Sequence, residues 1–215
     1  MNTPRPTDPA GAAHDNVYKT LRSRIMYGEM EPGKALTLRG IASEFEVSMT
    51  PAREALRRLS AEGALTLSAT GRVSTPELSN DRIEELASVR ALIEPELGAR
   101  ALPRVHMALI DRLRAINENV GQAIAKHDGA GYVRSNLEFH RTLYLRAQAP
   151  AMLAIAETLW LQLGPTMPLI YRSAQQSQST NQHRAIIAAL RDGDETQLRL
   201  AIRTDVTQGL RHLLT

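Results

Sequence analysis

Apolar residues recur at helical spacing through most of this chain, and the recurrence breaks where turn chemistry stands. In LTLRGIASEFEVSMTPAREALRRLSAE (residues 36–62), Leu38, Ile41, Ala42 and Phe45 share one face and predict a short helix from about Thr37 to Glu46. Val47 and Ser48 interrupt it. Thr50 is placed to cap a second helix, with Pro51 at its first position and Glu54 near the end of its first turn. That helix keeps Ala52, Ala55, Leu56 and Leu59 on one side, turns Arg53, Arg57 and Arg58 elsewhere, and stops at Gly63. Two helices joined by so few residues form a helix-turn-helix, whose second helix enters the major groove of DNA. Upstream, residues 16–28 form a helix with Val17, Leu21, Ile25 and Met26 inward, and Pro32-Gly33 sets a turn. Downstream, ALTLSATGRVSTPEL alternates apolar and polar residues about Thr70-Gly71, as a β-hairpin does. Helix, helix, helix, hairpin is a winged helix-turn-helix.

Beyond a short polar linker, Thr75 to Ser79, nothing reads as strand. Helices are predicted at about 80–101, 104–126, 130–147, 150–163, 166–173, 179–191 and 194–213, with Ser79 or Asn80 capping the first. Short connections between long amphipathic helices imply an antiparallel bundle. The fold class is therefore mainly α: residues 1–14, with three prolines and no periodicity, a disordered arm; 15–76 the winged domain; 77–215 an all-helical domain. SAQQSQSTNQ (173–182) reads as a mobile loop.

Composition narrows this picture. No apolar run approaches the ~20 residues of a membrane span, and MNTPRPTDPAGAAHD has no signal-peptide core. The absence of cysteine excludes disulfides and thiolate metal sites and fits a cytoplasmic protein. The pI near 9.5 points toward nucleic acid, but the charge is spread evenly. Residues 1–78 carry 10 basic and 9 acidic side chains, and residues 79–215 carry 16 and 14. Net charge therefore does not argue for DNA; local arrangement has to.

The run PGKALTLRGIASEFEVSMTPAREALRRLSAEG (residues 32–63) resembles the DNA-binding domain of GntR-family transcription regulators, a likeness spanning about residues 16–76. The remainder resembles, more loosely, the FCD ligand-binding domain of the FadR-like branch. The resemblance implies that Arg39 and Arg53 read bases, that Ser48 and Thr50 lie near phosphates, and that the wing at Gly71 and Arg72 approaches the minor groove. Arg53 in the first helical turn suits a bidentate contact to guanine. Arg57 and Arg58 read as phosphate contacts or as a solvated face. Met49 departs from the family, which usually has Arg there, and it cannot hold a phosphate.

In the helical domain, polar residues stand where apolar ones belong. Asn136 and His140 lie four apart beside the stripe Val133, Leu137, Tyr144, Ala147; His183 opens the inward face of Ile186, Ile187 and Leu190; Asp205 falls among Leu198, Ile202 and Leu210. FCD domains hold a divalent metal at four such positions through one Asp and three His. Here the set is Asn136, His140, His183 and Asp205, so two of the four differ. Two imidazoles and a carboxylate still suffice for Zn, Mn, Fe or Ni; the alternative is a hydrogen-bonded polar cluster without metal. His212, about 10 Å along the helix from Asp205, cannot join the same ion and is expected at the surface. Arg90 lies on the apolar face of Ile83, Ala87, Ile93 and Leu97, where pairing with Glu94 would satisfy it; the resemblance to FCD domains implies instead that it faces the cavity and grips an organic acid. Arg134, Trp160 and Arg172 are weaker effector-binding candidates. These features describe a homodimeric regulator, a repressor by expectation, that binds a pseudo-palindromic operator and responds to a small carboxylate effector, with the dimer contact expected on helices 80–126. Two other readings stand beside it: a DNA-binding protein with a degenerate, metal-free pocket, and a two-His, one-carboxylate metalloenzyme. An enzyme gives no reason for residues 36–76.

Overall fold

The computed structural model describes residues 9–174 and 180–211. The first domain comprises α1 (Pro9–Met26), β1 (Ala35–Leu36), α2 (Leu38–Glu44), α3 (Met49–Ala61), β2 (Thr66–Leu67) and β3 (Val73–Ser74). Val17, Leu21 and Ile25 of α1 are fully buried and face Ala52, Ala55 and Leu59 of α3 in one core. The helix begins at Pro9, seven residues before the sequence pattern places it, so the second half of the expected arm is helical; residues 1–8 lie outside the described residues. Thr37 caps α2, its hydroxyl accepting the Gly40 N–H at 3.0 Å.

The cap of α3 differs from expectation. Ser48, not Thr50, stands at the N-cap, and its side chain makes no cap hydrogen bond. Pro51 then occupies the third helical position, where an N–H would also lack an intrahelical partner, so proline fits there as well as at the first. At the other end Gly63, at φ 71°, closes a Schellman motif: its N–H bonds Ser60 O at 3.1 Å and Ala64 N–H bonds Leu59 O at 2.9 Å. The wing is three-stranded, in the order β1-β3-β2, all antiparallel. A two-residue strand such as β1 is too short to show a period, and only its pairing with Val73 and Ser74 reveals it. Gly71 at φ 80° makes the hairpin turn.

The second domain contains α4 (Asn80–Ala101), α5 (Met107–Ala125), α6 (Gly129–Tyr144), α7 (Pro150–Leu163), α8 (Met167–Ala174), α9 (Thr180–Asp192) and α10 (Glu195–Arg211). Ser79 caps α4 and Asp128 caps α6. The helix expected from residue 104 starts at Met107, because Leu102–Arg104 forms a 3₁₀ turn and His106 Nδ1 caps α5 by accepting the Leu109 N–H. Of the expected mobile loop 173–182, residues 173–174 and 180–182 belong instead to the ends of α8 and α9, and 175–179 lie outside the described residues. Helix α10 packs along α4 and α9, and α5 along α6. Gly98 permits the first of these contacts: a Cβ there would lie 2.2 Å from Ile202 Cδ1. Trp160, Tyr144, Phe139 and Leu113 fill the bundle core, and five of its helices, α4, α5, α6, α9 and α10, turn polar groups into that core.

Candidate functional site

Helix α6 brings Asn136 and His140 to one face a turn apart; α9 supplies His183 and α10 supplies Asp205. The three helices converge so that one ligand atom from each of His140, His183 and Asp205 lies within 4.8 Å of the others. Both imidazoles are buried and the Asp205 side chain is nearly so. His183 Nδ1 lies 3.0 Å from the Asn117 side-chain oxygen; with the amide in that orientation the oxygen accepts, which puts the proton on Nδ1 and leaves a lone pair on Nε2. His140 follows the same logic. The Tyr144 hydroxyl donates to Glu94 Oε2 at 3.1 Å, leaving its oxygen to accept from His140 Nδ1 at 3.2 Å. Both Nε2 lone pairs therefore face Asp205 Oδ2, at 2.9 Å from His140 and 4.0 Å from His183. At 2.9 Å the His140 contact is short, yet its geometry is not that of a hydrogen bond: among the described residues His140 Nε2 is the one buried side-chain N or O atom without a hydrogen-bond partner. Asn136 closes the group, its amide nitrogen 3.5 Å from His183 Nε2; turned end for end, the amide presents its oxygen in that place.

Charge follows from surroundings. Burial, opposed by Asp205 and reinforced by His140, holds His183 down to about 4, so its imidazole is neutral near pH 7. Burial pushes Asp205 up, but the attraction of the carboxylate to His183 and His140 in their protonated forms and to Arg90 outweighs it and holds the carboxyl below its ordinary value. Neutral imidazole and ionised carboxylate are the protonation states that metal ligation requires.

Of the two roles open to Arg90, the structure shows the pair. Its Nε lies 2.5 Å from Glu94 Oε1, with both side chains buried. Glu94 also accepts the Trp160 indole N–H at 2.9 Å and the Tyr144 hydroxyl, so this buried charge is fully satisfied. Trp160 is thus a core residue with its polar end on Glu94. Arg134 does not face the cluster; two residues before Asn136, it points outward, pairs with Glu29 at 2.8 Å and lies over the Tyr27 ring. The Arg172 side chain and His212 fall outside the described residues. Sequence reasoning missed Asn117 and the use of Tyr144 and Glu94 as orienting groups. Asn117 carries a legible signal, a polar residue on the buried stripe Leu113, Ile116, Val120.

At the other end of the molecule Arg39, Ser48, Met49, Thr50, Arg53, Gly71 and Arg72 are all exposed. Ion pairing sorts the arginines. Arg57 bonds Glu54; Arg58 lies 3.7 Å over the Tyr18 ring and 3.5 Å from Glu62. Arg22 and Arg24 pair with Glu62 and Glu44. Among the described residues, Arg39, Arg53 and Arg72 make no ion pair.

A winged helix-turn-helix that leaves Arg53 of its second helix, Arg39 of α2 and Arg72 of the wing without ion pairs, joined to a helical bundle with a buried polar cluster, defines a DNA-binding architecture with an appended helical domain. The family models agree: residues 13–73 match the gntR family of bacterial regulatory proteins and residues 85–208 match the FCD domain. The chain belongs to the GntR family of transcription regulators, in its FCD-domain branch, and is a regulator rather than an enzyme. It is 25% identical over 197 residues to the HTH-type transcriptional regulator McbR of Escherichia coli, covering 90% of this chain and 89% of the relative. To the gluconate operon transcriptional repressor of Bacillus subtilis it is 32% identical over 147 residues, 68% of this chain and 58% of that one. The solved structure of E. coli McbR/YncC has the same fold, at a TM-score of 0.85 and 23% identity, covering 94% of this chain and 99% of that one. Among the described residues no helix is long and apolar enough to cross a membrane.

Proposed function

We propose that this regulator is a homodimeric, cytoplasmic repressor whose hold on a pseudo-palindromic operator is controlled by a small organic acid bound at a divalent metal in the helical bundle. On the DNA side α3 enters the major groove, where Arg53 and, from α2, Arg39 read base edges. Their freedom from carboxylate partners supports this, since a guanidinium already paired would have to break that pair to reach DNA. Ser48, Met49 and Thr50 meet the backbone, Met49 without a donor to offer, and the wing carries Gly71 and Arg72 toward the minor groove. One recognition helix reads only a few base pairs, so useful specificity needs two. Leu92, 70% exposed on α4, and Met107, 58% exposed at the start of α5, supply apolar surface for the dimer contact.

The metal reading is carried by one observation: His140 Nε2 is buried, unpartnered and directed at the same point as His183 Nε2 and Asp205. His140, His183 and Asp205 would hold the ion, with the Asn136 amide oxygen a weak fourth ligand. Bound there, the ion supplies a Lewis-acidic grip on an effector carboxylate. Asn117 and Tyr144 hold the imidazoles in the tautomer that points Nε2 inward. With Arg90 saturated by Glu94, no other buried cation among the described residues faces the cluster. Compared with the family pattern an oxygen replaces one imidazole nitrogen, which favours Mn, Mg or Fe over Zn or Ni.

Metal analysis and native mass spectrometry of protein purified without chelator test the reading. The expected result is one divalent ion per chain, a retained small acid, and loss of both in His183→Ala. Stoichiometric metal surviving His183→Ala, or none taken up by the parent from excess Mn, Fe or Zn, overturns it.

A further inference from the structure

The last two turns of α7 touch, within eight residues, the groups that lie between the polar cluster and the recognition helix. Facing inward, Trp160 holds Glu94, which through the Tyr144 hydroxyl reaches His140. Facing the first domain, Glu157 accepts Arg141 Nε of α6 at 2.9 Å and lies 3.6 Å from Arg22 Nη2 of α1. Arg22 in turn reaches Glu62, the C-cap of α3, at 3.2 Å. Gln162 accepts Arg82 Nη2 at 2.9 Å and lies so close to Gly63 that a Cβ there would be 3.1 Å from its amide nitrogen.

The end of this run meets α1 backbone to backbone. A Cβ on Gly164 would lie 2.1 Å from the Ile25 carbonyl oxygen. One on Gly28, already at φ 69°, would lie 2.7 Å from Pro168 Cδ and 2.9 Å from the Gly164 oxygen. Neither glycine tolerates a side chain, and no flexible group is available to yield. A contact of this kind is stiff in a way that a covalent linker or a solvated ion pair is not.

We infer that residues 157–164 of α7 form a rigid joint that fixes the recognition helix relative to the bundle and passes to it displacements of the buried network around His140. The first half stands on the geometry alone; the second rests on the proposed effector reading. Because Trp160 and Gly164 are one helical turn apart, a shift at Glu94 and Trp160 moves the seam at Gly164 as part of the same rod.

The chain has no cysteine, so Ser43→Cys and Asn119→Cys place one spin label in each domain. Labelled protein is diluted into excess unlabelled protein, so that only distances within one chain register in double electron–electron resonance. The parent gives a single narrow distance. Gly164→Ala broadens it, since the added methyl and the Ile25 oxygen cannot share the space. Glu157→Gln, which keeps the volume and removes the charge, broadens it less, with helix content by circular dichroism unchanged in both. Tyr144→Phe, which deletes only the hydroxyl between Glu94 and His140, shifts the mean. Unchanged narrow distributions in Gly164→Ala and Glu157→Gln overturn the joint, and an unshifted mean in Tyr144→Phe overturns the transmission. Calorimetric titration with Mn²⁺ separates the two proposals. Equal affinity in the parent and Gly164→Ala is expected, and absence of binding in the parent counts against the metal reading while the label distances still decide this one.

Discussion

At the scale of single residues, most of what this protein does depends on which charged groups are already engaged. Arg53 and Arg58 belong to the same helix, and both read from sequence as candidates for DNA. Arg53 is unpaired, whereas Arg58 lies over the Tyr18 ring beside Glu62. Arg53→Ala should therefore cost ~1–3 kcal/mol on an operator selected from random duplexes and little on non-specific DNA. Arg58→Ala should instead lower the melting temperature modestly, as loss of a ~0.5–1 kcal/mol cation–π contact does, and leave the salt dependence of binding unchanged. Equal losses on both DNAs for Arg53→Ala, or a flattened salt slope for Arg58→Ala, would reverse the assignment. His183 makes a second prediction. Its folded value of about 4 lies below the unfolded value of about 6.5. Below pH 6.5 the unfolded chain takes a proton that the folded site refuses, so stability present at neutral pH drains away as the pH falls toward 4, by up to about 3 kcal/mol. Asp205, held below its ordinary value, acts in the same sense at still lower pH. Melting temperatures of chelator-treated protein should fall between pH 7 and 5, and less so in His183→Gln; a flat profile in the parent would contradict the burial argument.

At the scale of elements, the strongest signals were periodic ones. Helices α4 and α7 begin and end where the pattern of Ile83, Leu86, Leu97 and of Ala156, Leu159, Leu163 places them, because buried stripes of that length admit only one period. Capping was less legible. A sequence shows two capping residues, Ser48 and Thr50, on either side of Met49, and only the path of the chain out of α2 decides between them. Glu46 takes that path at φ 52°, a left-handed turn more often made by glycine or asparagine. It lets Val47 N–H reach Ala42 O at 3.0 Å and brings Ser48 to the start of α3. Helix α6 owes its place to Asp128, whose carboxylate accepts the Gly131 N–H at 2.8 Å and so fixes the register that sets Asn136 and His140 inward and Arg134 outward. The metal-site candidates could be proposed from that register; the outward course of Arg134 follows from it too, although its partner Glu29 belongs to the other domain.

At the scale of the whole molecule, the operator-binding unit is expected to be a dimer. Light scattering at micromolar concentration should give twice the chain mass, and substitution of the exposed Leu92 by Glu should lower both the mass and the operator affinity. A monomer that still binds a single half-site tightly would refute this. The sequence by itself determined the winged helix-turn-helix and the helical bundle, which follow from period and turn chemistry, and it marked Asn136, His140, His183 and Asp205 as odd polar residues on apolar stripes; their grouping into one cluster came from the resemblance to FCD domains. Tertiary structure decided what those residues face. Arg90 could grip an acid or pair with Glu94, and the choice fell to the pair because Trp160 and Tyr144, 66 and 50 residues away in sequence, complete the shell around the same carboxylate. Likewise His183 Nδ1 finds its partner in Asn117 across 66 residues, and the seam between the domains is set by the approach of Gly164 to Ile25. Local sequence carries periods and caps within a few turns; the partner of a buried charge is fixed only when distant segments are brought together, so no window of the chain contains it.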